Sequence, residues 1–524
     1  MYRHDVKYEL VSVSSPTDSH ASSQDDVRRD SASSSNIEHE HESLAVDDDD
    51  SVWFERVQQR TRRVIRQRNI ASCISLALSV IVVWQACQTS NRPSRFVWNK
   101  IAPSIARHEL PSKRFRYLTT GDWVPPPRPW TVDDCVREWG MRPQGLDSAK
   151  GRFRSLQVAS FRWRPTVTAE NSAASRQWDA YEFVKRAFNS RHGFVLLGDS
   201  VTQQSYEALG GQGGLLRLAS PTLELNTTSY DWLVSRKVSD VDGDYGLFIK
   251  NNTRMKRFLI NQMPHIPVER FDRPFVRSIR SDLLLMPEQI DRLAQDAYVD
   301  GKRLQPEVGT SVTALPWDEI LFGDLSSNAQ TWSGQQNSVF LINTGAHWNP
   351  ICTGLMSNLL NLALGRAVAS QAEPTCNTFV ASVDLTRLQA RETLDTLLAK
   401  PDIDLIYRTT SMAHPGCDNA ILPTSEPLPF VDHPDHPTGS QTGDDWHWST
   451  FGSMNQIWID EIDKLAPRGQ LENGNRVAVL DVAELTSKRP DAHASSKDCL
   501  HWALPSVPAT WIKLASQVMF EMDS

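Results

Sequence analysis

Two short segments of this chain hold the residue types needed for acyl transfer through a serine ester. FVLLGDS ends at Ser200, and KDCLHWALP carries Asp498 and His501, three positions apart. A serine hydroxyl is a weak nucleophile until a base takes its proton. An imidazole serves best as that base when a carboxylate fixes its tautomer and steadies the imidazolium. With Asp498 and His501 on one loop or helical turn, the carboxylate reaches the ring of its near neighbour. Ser200, His501 and Asp498 then supply nucleophile, base and orienter. A rival pair with the same spacing, Asp444 and His447 in DDWHW, follows the polar, loop-like HPTGSQTG. The strand before Asp498 and the HWALP after it favour His501. His414, in SMAHPGC, follows a strand end as a pocket or structural residue.

The elements that must position these groups are legible as apolar runs. Phe194 to Leu197 reads as a buried parallel strand ending in a tight Gly-Asp-Ser turn, with a helix beginning at Val201. A helix starting there aims free N–H groups at the oxyanion of an attacked carbonyl. The Ser200 backbone N–H and the Asn343 side chain are the expected donors, with Gly345 in the same turn as Asn343. The alternative for Asn343 and Gly345 is a strand-terminating turn. Trp348 and Trp502 are expected to wall the acceptor site and keep water from an acyl-serine, or else to be core residues. His347 is expected to pack or to line the same wall. SVFLINTG, IDLIYRTT and VAVLDVAEL read as further short strands, and WDAYEFVKRAF, SNLLNLALGRAVAS and SMNQIWIDEIDKLA as helices. This alternation predicts a three-layer α/β fold with a mostly parallel sheet. Ligands in such sheets sit outside the carboxyl ends of the strands, where the Gly-Asp-Ser, NTG and RTTS turns all fall.

Composition and charge bound the rest. The 524 residues carry a formal net charge of −8, inflated by an acidic, Ser-rich stretch from Ser12 to Ser51. Apolar residues there are too sparse to offset chain entropy, which predicts a disordered tail. No basic patch interleaved with aromatics points to nucleic acid. Residues 70–87 contain no charge and are long enough to cross a thin bilayer as a helix. Arg56, Arg60, Arg62, Arg63, Arg66 and Arg68 precede the run, and Arg92, Arg95 and Lys100 follow more sparsely. The positive-inside rule then predicts a type II arrangement. Residues 1–69 form a cytosolic tail, 70–87 a transmembrane helix, 88–118 a lumenal stem and 119–524 the catalytic domain. A lumenal domain meets oxidising conditions. Of the 7 cysteines, Cys73 and Cys87 lie in or at the edge of the span. Cys135, Cys352, Cys376, Cys417 and Cys499 remain, an odd number whose pairing spacing alone leaves open. No His/Cys cluster has metal-ligand spacing, so no bound metal is expected. Asn226 and Asn251 begin glycosylation sequons.

The segments GDWVPPPRPW, SFRWRP, LLGDSVTQQS, LINTGAHWN, YRTTSMAHPGC and KRPDAHASSKDCLHWALPSVPATW resemble, in order and spacing, the motifs of the trichome-birefringence-like and PC-esterase proteins. The resemblance covers roughly Gly121 to Phe520. Arg489, Pro490, Asp491, His493, Asp498, His501, Trp502, Leu504 and Pro505 all fall into the pattern. It implies an SGNH-like fold related to fungal capsule O-acetyltransferases, and a Golgi type II enzyme with Ser200, His501 and Asp498 as triad. An acetyl donor such as acetyl-CoA would acylate the serine, and a polysaccharide or glycan hydroxyl would accept the group. The resemblance also implies a Cys417–Cys499 bridge pinning the catalytic loop. The chain departs from the pattern at Gln203 and Gln204, where the family has Arg-Asn, and at Ala503 in place of Cys. It departs again after NTG, where Ala346 interrupts the usual His-Trp-Trp. An acetylesterase with the same triad is one alternative. A catalytically inactive glycan-binding protein is another, its 17 tryptophans stacking on sugar rings.

Overall fold

The structure is a computed structural model that describes residues 109–524 except 146–148, 167–176, 212–213, 220–231, 287, 290–297, 300–301, 304–314, 324–333, 348–377, 431–447 and 496–497. The 1–69 tail, the 70–87 span and the stem up to residue 108 lie outside the described residues. So do Trp348, Asn226, Cys352, Cys376, Asp444 and His447, and the helix expected over SNLLNLALGRAVAS. Among the described residues no helix is long and apolar enough to cross a membrane.

A small antiparallel pair, β1 (Gly121–Val124) and β2 (Arg162–Pro165), is built from the two tryptophan motifs near the start of the domain. The principal sheet has seven strands: β3 (Phe194–Gly198), β4 (Leu233–Lys237), β5 (Asp244–Ile249), β6 (Val276–Arg280), β7 (Ser338–Asn343), β8 (Ile403–Arg408) and β9 (Arg476–Leu480). Their order is β9-β8-β7-β3-β6-β5-β4. The five strands from β9 to β6 are parallel, and β5 pairs antiparallel with both β6 and β4. The sheet is therefore mixed, and the domain is α/β.

Alternation within the strands explains why both faces are covered. Phe194 and Leu196 of β3 join one apolar cluster, while Val195 and Leu197 join the other. The first cluster takes in Phe183, Val184, Ala187 and Phe188 of α1 (Ala180–Phe188), with Trp511, Ile512, Ala515 and Val518 of α5 (Ser506–Asp523). The second takes in Ala390, Leu394 and Leu397 of α3 (Thr378–Leu398), with Trp458 and Ile462 of α4 (Phe451–Leu465). The label α2 belongs to the short helix Ser200–Tyr206 that follows β3. With every residue of β3, β7 and β8 buried, continuous Val/Ile/Leu runs are what a sheet covered on both faces requires.

The domain begins earlier than residue 119. Phe115 and Leu118 are buried, Ser112 donates to Asp463, and Tyr117 is bonded to Glu521. The last residues of the expected stem are thus packed onto the domain. Arg186 and Arg476 both bond Asp404 and Asp523, which joins α1, β8, β9 and the end of α5.

Candidate active site

β3 lies inside the sheet between β6 and β7, the two strands where the chain passes from one side of β3 to the other. The crevice outside the carboxyl ends at such a switch point is where doubly wound sheets bind ligands. Gly198 is paired in register with Asn343 on one side and Arg280 on the other. A Cβ at Gly198 would sit 2.2 Å from the Asn343 carbonyl oxygen, so only glycine lets the two strand ends approach. The turns through Ser200, Gly345 and Ser281 therefore emerge side by side, and the Ser281 N–H donates to the Gly198 carbonyl at 2.8 Å.

Asp199 caps α2. It is fully buried, and its Oδ1 accepts the N–H groups of Val201 at 3.0 Å and Thr202 at 3.3 Å. Burial raises its pKa, opposed by the positive charge of Arg408. With those two amides taken, the Ser200 N–H is the first amide of the helix left without a hydrogen bond among the described residues.

Ser200 Oγ donates to His501 Nε2 at 2.8 Å, and His501 Nδ1 donates to Asp498 Oδ2 at 2.8 Å. Asp498 Oδ1 accepts the N–H of His501 at 3.0 Å and of Leu500 at 3.2 Å, which fixes the carboxylate against its own loop. Burial opposes ionisation of Asp498, yet the hydrogen bond and charge of His501 hold its pKa down at about 2. Burial likewise opposes protonation of His501, and the hydrogen bond and charge of Asp498 outweigh it, so its pKa is raised. The pair is poised for proton transfer: an ionised carboxylate behind a ring whose basicity it increases. The side chains of His501 and Asp498 are 31% and 41% exposed, so this chain of bonds opens to solvent.

The loop that carries Asp498 and His501 is held from three directions. Gln204, one helical turn beyond Ser200, donates its amide to the Trp502 carbonyl at 2.8 Å and accepts the Trp502 N–H at 3.0 Å. Cys417 and Cys499 form a disulfide that ties the segment after β8 to the residue next to Asp498. His493 Nδ1 donates to the His501 carbonyl at 3.0 Å, and His414 Nδ1 meets His493 Nε2 at 2.7 Å. Burial lowers the His414 pKa to about 4 and puts His493 well below the ordinary histidine range. Two neutral rings hold two protons. The three contacts they share have the His414 Nε2 to Ser487 carbonyl distance, 3.2 Å, as the longest. Gln204 and His493 were visible in the sequence only as a departure and as one motif position. What gives them a role is their contact with the backbone beside His501.

Other sequence candidates are placed differently. Asn343 is fully buried, and its Nδ2 donates to the Arg408 carbonyl at 3.0 Å and to Thr410 Oγ1 at 3.4 Å. Its Oδ1 accepts from Thr202 Oγ1 at 3.4 Å. The amide braces three strand-end segments, so its N–H groups are not free to meet an oxyanion. Gly345 has φ 153°, and a Cβ there would lie 2.2 Å from Thr410 Oγ1; its role is close approach in a turn. Trp502 is fully buried, stacked on His493 at 4.4 Å between centroids and donating to Ser411 Oγ at 3.0 Å. A fully buried ring cannot stack on an acceptor sugar, so Trp502 is a core residue that supports the loop. His347 is buried with its Nε2 3.7 Å from Asp282 Oδ1, and Asp282 is also bonded by Arg280 at 3.0 Å. Asn251 is exposed on a turn. Cys135 is a buried free thiol, pushed by burial up to about 12. Among the described residues no cluster of His, Cys, Asp and Glu could hold a metal ion.

The specific C-terminal motif is largely scaffold. Arg489 is fully buried, bonded to Asp491 at 2.8 Å and 3.1 Å, and stacked 4.4 Å over Trp123 of β1. Compared with known proteins, the chain matches no family model, no curated protein and no solved structure.

Proposed function

We propose that this protein is a serine-triad O-acetyltransferase of SGNH-like fold that acts on a polysaccharide or glycan hydroxyl. The observation that carries the reading is the unbroken series Asp498–His501–Ser200, with 2.8 Å at each junction, at the carboxyl end of β3. Ser200 Oγ attacks the acetyl carbonyl as its proton passes to His501 Nε2. The Ser200 N–H faces the oxyanion, and collapse of the intermediate expels the donor's leaving group, protonated by His501. A sugar hydroxyl then repeats the sequence in reverse, its proton going to His501 and the acetyl group to the sugar oxygen. Acetyl-CoA is the proposed donor and is a co-substrate, not a resident cofactor. The membrane span, the Golgi setting and a lumenal catalytic domain belong to the same proposal, supported by the charge asymmetry around residues 70–87 and by the resemblance to the trichome-birefringence-like proteins.

A second reading, an acetylesterase, is favoured by the exposure of His501 and Asp498, which lets water reach an acyl-serine. Incubation of the protein with acetyl-CoA and a panel of neutral and acidic oligosaccharides, followed by mass spectrometry, separates the two. A gain of one acetyl group on an oligosaccharide is expected. Release of acetate with no acetylated sugar, from acetyl-CoA or from an acetylated glycan, would make the enzyme an esterase.

A further inference from the structure

At the opposite end of the sheet from Ser200 lies a cavity of about 450 Å³ whose lining includes four arginines and a lysine. Arg191, His192, Arg236, Lys237, Phe248, Asp272, Arg273 and Arg277 contribute its polar and aromatic walls. Arg191 and His192 immediately precede β3, and Arg273 precedes β6. Ser200 follows the other end of β3, so five residues of strand, roughly 16 Å, separate the two places.

The charges in this cavity do not balance. Arg277 is neutralised by a two-bond contact with Asp244 at 2.7 Å and 2.8 Å, and Lys237 bonds Asp242. Arg191, Arg236 and Arg273 have no carboxylate partner among the described residues, and the only acidic group in the lining is Asp272. Arg191 Nε is buried with no hydrogen-bond acceptor. A buried guanidinium N–H without an acceptor is costly, and like charges gathered in one concavity repel unless an anion joins them. Arg236 lies 4.0 Å over the Phe248 ring, a stacking that holds its guanidinium against one wall of the cavity. Burial, with a further contribution from the positive charges of Arg191, Arg270, Arg277 and Arg273, depresses the pKa of His192 to about 3, so this ring adds no charge to the cavity.

We propose that this cavity binds a small phosphorylated ligand whose phosphate oxygens are held by Arg191, Arg236 and Arg273. Three guanidinium forks around so small a volume suit an anion of high charge density more than a single carboxylate. The volume matches a phosphorylated sugar or a nucleotide, within the range of small-ligand pockets. The site is remote from the triad and independent of the acyl-transfer reading.

Calorimetric titration of the full-length protein with inorganic pyrophosphate, at physiological salt, tests the assignment. Saturable binding is expected at micromolar concentration, and Arg191→Ala or Arg273→Ala should weaken it about tenfold or more. Because Arg191 is half-buried, the exposed Arg236→Ala is the second variant, chosen because its loss should leave folding intact while weakening pyrophosphate several-fold. Unchanged affinity in Arg236→Ala and Arg273→Ala, or no saturable binding up to millimolar pyrophosphate, would overturn the proposal. Citrate binding as tightly as pyrophosphate would overturn the phosphate assignment.

Discussion

At the scale of single residues, what matters is which groups can exchange a proton. The proposed mechanism makes Ser200 and His501 one unit, so Ser200→Ala and His501→Ala should each lower hydrolysis of p-nitrophenyl acetate on the order of a thousandfold, with the double variant little worse. Additive losses would mean that the two do not share a step. The pH profile follows from the shifts at the pair. His501 must be neutral to accept a proton, and Asp498 raises its pKa above the ordinary 6.5, so activity should climb through an acid limb lying above that value. Asp498→Asn removes the anion that favours the imidazolium. The limb should move to lower pH while the maximal rate drops, and a limb moving upward would contradict the assignment. Gln204 positions the loop by two backbone bonds worth about 1 kcal/mol each. Gln204→Ala should therefore reduce kcat about tenfold with a small change in melting temperature, and with KM for a small ester largely unchanged.

At the scale of elements, the segment Asp498–His501 lies in no helix or strand, so its geometry depends on what holds it. The Cys417–Cys499 bridge closes a loop with a sequence separation of 82. A bridge of that span stabilises by about 4 kcal/mol in the chain-entropy account. Cys417→Ser should lower both the melting temperature and the rate, and loss of stability with full activity at low temperature would show that the loop holds itself. The strands that aim the serine were readable because they are buried on both faces, which leaves an uninterrupted apolar run such as Phe194–Leu197. β6 was not readable, since VRSIR looks like a solvated segment until Asp244, on the neighbouring strand, takes up Arg277. The same limit applies to the site. Asp498 and His501 are close in sequence and were legible from spacing. The role of Trp502 depends on His493 and Ser411, and that of Asn343 on Arg408, none of them identifiable as partners from sequence position.

At the scale of the whole molecule, the five parallel strands place Ser200, Asp282 and Gly345 at one end and the arginine-lined cavity at the other. The two proposals thereby put chemistry and anion binding at opposite poles of one domain. The charge asymmetry around residues 70–87 predicts that protease added to intact microsomes trims only the N-terminal tail, while Asn251, exposed on its turn, acquires glycan. Digestion of the Ser200 domain under those conditions would reverse the orientation. The central claim is that Ser200 is a nucleophile activated by His501. Its most direct test is covalent trapping: the protein is incubated with a fluorophosphonate and the modified peptide is identified by mass spectrometry. A single adduct on the peptide containing Gly198, Asp199 and Ser200, abolished in His501→Ala and formed normally in His447→Ala, is the predicted result. No adduct at Ser200, or labelling that survives His501→Ala and disappears in His447→Ala, would contradict it.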